Sequence, residues 1–447
     1  MINGGLFFFN LSSIILLFSY TPDQNIKIEF SGNNFFSAQY LTAHQKSVKD
    51  LQDIKGLINR ILDIYNNAGY AFCAIAPVIL PVDSGINKVV LQIDEGERVV
   101  ISDYIFRVKG KTATGVLKRI CRLPTDEYFS LKDLRKAKRV MLNTGVFNDI
   151  SDNIVLKHNR YNLVFDLTEN QSDFLSGSGS MAQNDFNFGV SYYTLNILGT
   201  LRQFRFEYES GLPGNEHGQF NSLFSLQFVE PVLLAPVILD MSFSLSTYDS
   251  ARLGQLLGKV SAPVGDYFKT SVLSGIEMVD YLADSSKHGD TQSLVGVGLV
   301  LAYEAADWST EQEISLEYLF RQDDRLRIKY DGQVRWLRIV GKPHFWWTKT
   351  SALEYFDYFR IGGSKNIRGY LEEQFVVRQA LWLNLEYEMT FFYPLIDIAW
   401  IEKTLFYAYG FGINAKTDFA NASLVFAWPK DANWRDGKVH FVLEKGF

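Results

Sequence analysis

The sequence predicts two small α+β modules followed by a transmembrane antiparallel β-barrel of about sixteen strands. Three observations predict this fold class. Hydrophobic residues recur at helical spacing only before about residue 170, they alternate with polar residues along the rest of the chain, and no apolar stretch beyond residue 20 is long enough for a spanning helix. A chain that crosses a bilayer without such helices must use a closed barrel, because closure leaves no backbone group unpaired.

The chain begins with an apolar run, Leu6–Tyr20, which the breaker sequence TPDQN follows at once. The run is shorter than a spanning helix needs, so we interpret residues 1–24 as an export signal. No Lys or Arg precedes the run and no A-x-A cleavage site follows it; a start codon assigned too far downstream would explain the first gap. The alternative is an N-terminal hydrophobic helix that packs on the protein.

Residues 25–98 and 99–170 each carry one predicted α+β module. A glycine suited to a left-handed helix cap follows each predicted helix, Gly69 in the first module and Gly145 in the second. Short alternating strands come next, KVVLQIDEG and NLVFDLTEN, so the two modules form an internal repeat. The residues predicted to share one helical face are Leu51, Ile54, Ile58, Ile61, Leu62 and Tyr65 in the first module, and Leu131, Leu134, Ala137 or Lys138, and Met141 in the second.

Residues 171–447 alternate with a period of two. In RQFRFEYES, the hydrophobic side chains of Phe204, Phe206 and Tyr208 alternate with charged ones, and the pattern returns in EISLEYLF, LWLNLEYEM, LFYAYGFGI and VHFVLEKGF. A soluble sandwich also alternates, but aromatic residues near the strand ends and several carboxylates on each polar face favour a lipid-facing girdle around a water-filled lumen. Strands of roughly 9–11 residues with their turns give an even number near sixteen.

Composition and motifs exclude several function classes. The net charge of −6 provides no basic surface for nucleic acid. The six His residues are scattered, and Cys73 and Cys121 form no CxxC motif, which indicates two buried thiols and no metal site. The sequence GGSKN at Gly362 lacks the spacer and the Gly-Lys-Ser/Thr ending of a phosphate loop. We therefore predict no cofactor and no enzymatic activity.

Several of these segments together resemble the Omp85 superfamily of outer-membrane proteins, also called the surface antigen D15 family. They are FRIGGSKNIRGY, LWLNLEYEM, LIDIAW, YGFGINAKT and the terminal GKVHFVLEKGF, and the two upstream modules resemble POTRA domains. The most specific match is Ile367-Arg368-Gly369-Tyr370, which is similar to the motif of an aliphatic residue, Arg, Gly and an aromatic residue in the family's sixth extracellular loop. The resemblance covers nearly the whole chain after the predicted signal.

The resemblance implies a role for each residue of this motif. In the family the loop folds back into the barrel lumen, where its Arg pairs with acidic side chains of the following strands. The candidate partners of Arg368 here are Glu386 and Asp397, with either or both expected to bind it. Gly369 would allow the tight tip of the loop, and Tyr370 would pack beside it. Ala399 stands where the family usually has Gly.

The end of the chain carries a second implied signal. Phe447, with Phe441 and Leu443 on the same face, resembles the carboxy-terminal signal by which such barrels are recognised for their own insertion. The alternative is a final strand that places aromatic residues at the membrane interface. The two interpretations do not exclude each other.

The implied function is protein assembly or insertion in the outer membrane of a Gram-negative bacterium, with the POTRA modules in the periplasm. The expected partners are unfolded outer-membrane or secreted client proteins, membrane lipid and accessory lipoproteins. The Gly- and Ser-rich start of the barrel, SGSGSMAQNDFNFG, is a poor β-former, so we expect the seam between the first and last barrel strands to be weakest. Alternatives are a two-partner secretion exporter of one dedicated protein and a passive porin or adhesin, which would need neither the modules nor the loop motif.

Overall fold

The computed structural model describes most of the chain. Within the part described, no helix has both the length and the apolar composition that crossing a membrane requires. The predicted export signal, residues 1–24, and Phe447 lie outside the described residues. The described residues are 26–43, 48, 51–80, 88–182, 185–211, 220–265, 267–282, 289–305, 307–320, 325–349, 358–417 and 420–446.

The described residues divide into two compact units. The first contains those of Met1–Ile105, Leu123–Lys138 and Asp152–Phe165. The second contains those of Phe106–Arg122, Arg139–Ser151 and Asp166–Phe447. The module boundaries expected near residues 98 and 170 stay predictions.

The first helices and strands form a small α+β layer. In its three-stranded sheet, β3 lies in the middle, parallel to β1 and antiparallel to β2. The buried face of α2 also includes Leu57, which the predicted face omitted. Leu57 lies three residues after Ile54 and four before Ile61, and residues at these spacings share one helical face. Gly69 follows α2 with φ of +99°, as predicted. The elements are β1 (Lys27–Ser31), α1 (Ala38–Ala43), α2 (Leu51–Asn67), β2 (Ala74–Leu80) and β3 (Lys88–Asp94).

The next elements build a four-stranded sheet in the order β5-β4-β7-β6. Helix α4 buries Leu134, Ala137 and Met141, and Gly145 follows it with φ of +71°, both as predicted. The elements are β4 (Val100–Lys109), α3 (Thr114–Cys121), β5 (Glu127–Tyr128), α4 (Leu131–Leu142), β6 (Phe147–Lys157) and β7 (Arg160–Glu169).

The two cysteines are free thiols in different surroundings. Cys121 is buried, as predicted, whereas Cys73 is only half-buried. Burial raises the pKa of each thiol to about 12, so both stay protonated near neutral pH. Neither thiol is therefore in the state that attacks disulfides or binds metals.

The rest of the described chain forms a closed antiparallel barrel of sixteen strands, which confirms the predicted architecture and strand number. The hairpin β19–β20 stands apart from the barrel sheet, between β18 and β21. The barrel strands are β8 (Asp173–Ala182), β9 (Asp185–Thr194), β10 (Gln203–Gly211), β11 (Phe220–Leu234), β12 (Val237–Tyr248), β13 (Ala251–Val264), β14 (Phe268–Tyr281), β15 (Asp290–Glu304), β16 (Trp308–Phe320), β17 (Arg325–Trp336), β18 (Ile339–Lys349), β21 (Gln379–Tyr387), β22 (Phe392–Ile401), β23 (Thr404–Lys416), β24 (Asn421–Pro429) and β25 (Lys438–Gly446).

Alternation along the strands separates an apolar outer face from a polar inner face. Val272, which is 61% exposed, lies on the outer face of β14. Glu277, five residues later on the same strand, points inward and is fully buried. The seam between β25 and β8 is antiparallel and runs from Gly446 opposite Phe174 to Val439 opposite Met181. These two strands have 9 and 10 residues, against 14 each in β13 and β14. The barrel closes through its shorter strands.

Candidate functional site

The candidate site is built on the segment between β18 and β21. A short antiparallel hairpin, β19 (Phe359–Ile361) with β20 (Phe375–Val377), forms its base, with Phe359 opposite Val377. The hairpin carries a tip of thirteen residues, 362–374. Residues 367–370, which are similar to the family's loop motif, lie in this tip.

Apolar side chains anchor the tip to the inner wall of β21–β23. Ile361, the last residue of β19, and Ile367 in the tip are fully buried, and Tyr370 in the tip is 8% exposed. They belong to one cluster with Trp382 of β21 and Ala408 of β23. Removing this apolar surface from water favours a loop that lies against the wall. The cluster also contains Ala399, so the methyl group at this position packs into the apolar contact between loop and wall.

Gly369 permits the closest approach of the tip to the wall. Its φ of +89° lies in the region that L side chains rarely adopt. A Cβ atom at this position would lie 3.0 Å from the carbonyl carbon of Trp428 and 3.1 Å from the Cβ of Ala408. Both the backbone conformation and the space therefore require glycine here.

Arg368 contacts both of the carboxylates that the resemblance implied. Its Nε and Nη2 donate to the two oxygens of Asp397 at 2.9 and 2.6 Å, and its Nη1 donates to Oε1 of Glu386 at 2.6 Å. The backbone N–H of Arg368 also donates to Asp397, at 2.8 Å. The forked contact fixes the orientation of the guanidinium as well as its position.

The surroundings of this ion pair are largely closed to solvent. Asp397 has no exposed side-chain surface, and the side chain of Arg368 is 9% exposed. Asn384 lies opposite Asp397 on the neighbouring strand and donates from Nδ2 to the carbonyl of Asn366 at 2.7 Å. Lys342 approaches Glu386 at 3.3 Å, so the charges of two cations and two carboxylates balance. A buried charge without such partners would cost several kcal/mol, on the order of 3–5.

Tyr370 completes the contact of the motif with the wall. Its hydroxyl donates to the carbonyl of Tyr407 on β23 at 3.1 Å. Its ring contacts those of Phe375 and Phe406, with centroids 5.1 and 6.0 Å away. The four motif residues therefore contribute apolar burial, an ion pair, a backbone turn and a hydroxyl contact at one place.

The loop also contacts the opposite side of the lumen through residues that sequence reasoning missed. Lys365 extends to Glu207 and Glu209 of β10, with Nζ 2.9 and 2.5 Å from their carboxylates. The guanidinium of Arg360 lies 4.4 Å above the ring of Tyr248 on β12. Alternation correctly placed Glu207 and Glu209 on a face separate from the aromatic residues, but it carried no information about a partner 158 residues away.

Trp382 was also missed as part of the site. It is 2% exposed, and its ring stacks on that of His344 at 4.6 Å. Trp382 is two residues before Asn384 and four before Glu386 on β21, so all three side chains lie on the inner face. This spacing of two was the signal in the sequence that could have identified Trp382 as an inward-facing residue. Not every aromatic residue of the barrel half belongs to the outer girdle.

The described residues of the predicted carboxy-terminal signal project from the outer face of the barrel, whereas the loop lies in the lumen. Phe441 and Leu443 are each 43% exposed on the outer face of β25, and Phe447 lies outside the described residues. His440, which precedes Phe441 on β25, points inward and is 6% exposed. The role of Phe441, Leu443 and Phe447 as an insertion signal stays a prediction. Among the described residues, no group of three His, Cys, Asp or Glu side chains is arranged to hold a metal ion.

The fold is similar to that of several solved structures, although no protein-family model and no curated protein matches the sequence. BamA from Haemophilus ducreyi lacking POTRA domains 1–3 is 12% identical with a TM-score of 0.58, and the match covers 96% of this chain and 100% of that one. CdiB from Acinetobacter baumannii is 13% identical with a TM-score of 0.61, covering 97% and 91%. CdiB from Escherichia coli is 12% identical with a TM-score of 0.60, covering 96% and 91%. The chain thus shares the fold of these three structures.

Proposed function

We propose that this chain is a non-enzymatic assembly factor of the Omp85 type in the bacterial outer membrane. It takes unfolded client chains at two periplasmic POTRA modules and inserts or translocates them by way of its barrel. The observation that carries the proposal is the loop held inside a sixteen-stranded barrel by Arg368 on Asp397 and Glu386. A passive pore would need neither the upstream modules nor this loop motif.

The outer face of the barrel supports its placement in lipid. Apolar side chains of consecutive strands project from it, among them Leu256, Val272 and Val297, which are 49%, 61% and 53% exposed. A contiguous apolar surface of this kind is unfavourable in water and favourable in a bilayer. The inner face carries the charges, including Glu277 and Arg327.

The sheet of the second module offers the edge that suits client capture best. Strand β6 lies at the end of that sheet, contains eleven residues and lacks proline. In the first module, edge strand β2 contains Pro77, which has no N–H to donate, and edge strand β1 has only five residues. Added client strands would bond to the backbone of β6, so that many sequences could be accepted. Leu156 on β6 is 55% exposed.

A crosslinking experiment tests this function. A photo-crosslinking amino acid replaces Leu156 on β6 in the full chain, and mass spectrometry identifies what it captures in growing cells. The matched control carries the same probe at Leu142, which is 44% exposed at the end of α4. A mixture of outer-membrane barrel precursors captured at Leu156 alone supports assembly. Equal capture at both positions, or capture of abundant periplasmic proteins only, contradicts it.

The second candidate function is export of one dedicated secreted protein by two-partner secretion. The presence of two upstream modules favours it, since dedicated insertases of the family often carry more. Capture of a single large secreted protein at Leu156 would support export over assembly. The two candidates thus differ in the outcome of the same experiment.

The seam provides a test of how clients leave the barrel. Ser178 of β8 and Val442 of β25 are directly opposite each other. Cysteines at these two positions would lock the seam with a disulfide, in a background where Cys73 and Cys121 are replaced by Ser. If clients pass through an opened seam, oxidation should stop client handling and reduction should restore it. Full activity of the oxidised protein would contradict lateral opening.

A further inference from the structure

A cavity lies at the rim of the barrel where β8 begins and β25 ends, here called the proximal rim. Three neighbouring turns meet there, between β15 and β16, between β17 and β18, and after β21. Their backbones are joined, because Leu337 N donates to Asp307 O at 2.9 Å and Glu388 N donates to Arg338 O at 2.7 Å. Arg335 also forms an ion pair with Glu388. Backbone hydrogen bonds and one ion pair therefore join the three turns to one another.

The cavity has a volume of about 700 Å³. Its lining includes Glu304, Asp307, Trp308, Trp336 and Arg338. This volume lies within the range of typical small-molecule sites, which is roughly 300–1,000 Å³. The lining combines indole rings with both signs of charge.

A row of outward-facing side chains forms the apolar part of the cavity. Trp308 lies opposite Trp336, Trp336 opposite Ile339, and Ile339 opposite Tyr387, so the row crosses four strands without a gap. These four side chains are 43%, 59%, 42% and 41% exposed. Trp and Tyr concentrate where a bilayer meets water, because their rings are apolar at one end and polar at the other. The row therefore faces the region where acyl chains meet headgroups.

The charged part of the cavity carries both signs on neighbouring turns. Arg338, Asp307 and Glu304 are all exposed. In the part of the chain that the structure describes, no ion pair joins these three side chains to other residues. An exposed guanidinium suits a phosphate, with which it forms two parallel hydrogen bonds. Two carboxylates nearby suit an ammonium group. A ligand with both groups on an apolar body matches this arrangement better than a simple anion does.

We propose that the cavity binds the headgroup of one zwitterionic phospholipid of the phosphatidylethanolamine class. Arg338 holds the phosphate, Asp307 and Glu304 hold the ammonium group, and the acyl chains lie along the row of Trp308, Trp336, Ile339 and Tyr387. This proposal rests on the membrane placement in the proposed function, and it adds a specific lipid at a specific position. The bound lipid would link the connected turns to the surrounding leaflet.

Native mass spectrometry of the full chain in mild detergent tests the site. The protein is delipidated and then offered equal amounts of phosphatidylethanolamine and phosphatidylglycerol. The wild type should retain the zwitterionic lipid over the anionic one by about tenfold. Arg338→Gln should lower retention of both lipids about tenfold, since both carry the phosphate. Asp307→Asn should lower retention of phosphatidylethanolamine alone.

The matched control is Arg252→Gln, which removes an exposed arginine at the second residue of β13, on the opposite rim of the barrel. It should leave lipid retention unchanged. Equal retention of the two lipids by the wild type, or an equal loss in Arg252→Gln and Arg338→Gln, would overturn the proposal. Displacement of the lipid by equimolar soluble phosphorylethanolamine would also overturn it, because the site would then bind a free headgroup.

The same preparations separate failure of this site from failure of the proposed function. Heat-modifiable mobility reports whether the barrel has formed, and crosslinking at Leu156 reports client capture. Lipid selectivity without client capture would support the lipid site and contradict the assembly function. Client capture without lipid selectivity would support the assembly function and contradict the lipid site.

Discussion

Two clusters of buried charge among the described residues of the lumen differ in what they connect. The wall cluster consists of Glu277 on β14 with Gln255 on β13, Gln292 on β15 and Arg327 on β17. The loop cluster consists of Arg368 with Asp397 and Glu386, and it joins the loop tip to β21 and β22. Each is centred on a carboxylate with no exposed surface, Glu277 in one and Asp397 in the other.

The chemistry of the two clusters is similar. Glu277 accepts hydrogen bonds from Arg327 at 2.6 and 3.2 Å, from Gln255 at 2.7 Å and from Gln292 at 2.8 Å. Asp397 accepts three hydrogen bonds from Arg368, one of them from its backbone. In both, desolvation of the carboxylate is offset by a guanidinium fork and further N–H donors.

The difference lies in the backbone around each cluster. The strands of the wall cluster are already paired along their length, from β13–β14 through β16–β17. The hairpin of the loop lies outside the barrel sheet, so side chains carry most of its attachment to the wall. The wall cluster therefore reinforces a structure that backbone pairing specifies, whereas the loop cluster determines where the loop lies.

The largest effect should come from Arg368→Ala. It leaves the fully buried Asp397 and the nearly buried Glu386 without their guanidinium, at a cost of about 3–5 kcal/mol. The fraction of heat-modifiable barrel should fall, while circular dichroism shows that the upstream modules remain folded. Arg368→Lys, which keeps the charge but not the fork, should recover only part of the loss. Wild-type mobility and activity in Arg368→Ala would refute a locking role for this residue.

Glu277→Gln should destabilise the barrel without freeing the loop. The variant keeps the shape of the side chain but removes the charge opposite Arg327, which should lower the free energy of unfolding by about 2–3 kcal/mol. Urea unfolding in detergent measures this change. Trypsin cleavage at Lys365 and Arg368 measures release of the loop and should stay at the wild-type rate. Faster cleavage would show that the two clusters are coupled.

Gly369→Ala should move the loop tip without removing any charge. The positive φ and the contact with Trp428 and Ala408 together should cost roughly 1–3 kcal/mol. Gly265→Ala is the matched control, because Gly265 has φ of +68° but no atom within 4 Å of the added Cβ. Urea midpoints of the two variants separate backbone strain from close approach. If the two midpoints fall equally, the approach to the wall is not a constraint.

Lys365→Met should have the smallest effect. The side chain of Lys365 is 56% exposed, so its ion pairs with Glu207 and Glu209 contribute at most about 1 kcal/mol and are screened by salt. The difference from wild type in urea midpoint should therefore shrink as the salt concentration rises. If Lys365→Met lowers the urea midpoint as much as Arg368→Ala does, and at every salt concentration, then the contact with β10 holds the loop as strongly as the contact with β21 and β22.

Much of the fold could be predicted because it depends on periodicity, which is local in the sequence. The alternation in β10, β16, β21 and β23 assigned residues to faces correctly, and the length of the barrel half predicted the number of strands. Trp382 was missed as part of the site for a simple reason, since the hydrophobicity of a large aromatic side chain, taken alone, favours the lipid face. Only the parity of its strand shows that it faces inward.

The candidate site could be predicted in part. Resemblance of residues 367–370 to a loop motif named Arg368, Glu386 and Asp397, but left open which carboxylate the arginine meets. The structure places both within hydrogen-bond distance. The contact of Lys365 with β10 had no signal in the sequence, because it joins two segments that closure of the barrel alone brings together.

The sequence by itself determined the period and the identity of the loop motif, since each depends on residues within a few positions of one another, and the length of the barrel half determined the strand number. Only the tertiary structure decided which side chains share the lumen. Contacts such as Lys365 with Glu207, or the row from Trp308 to Tyr387, depend on the register between strands. Register is set by burial of the apolar face along each whole strand together with the geometry of the turns, and a shift of one residue would place every one of these side chains on the opposite face.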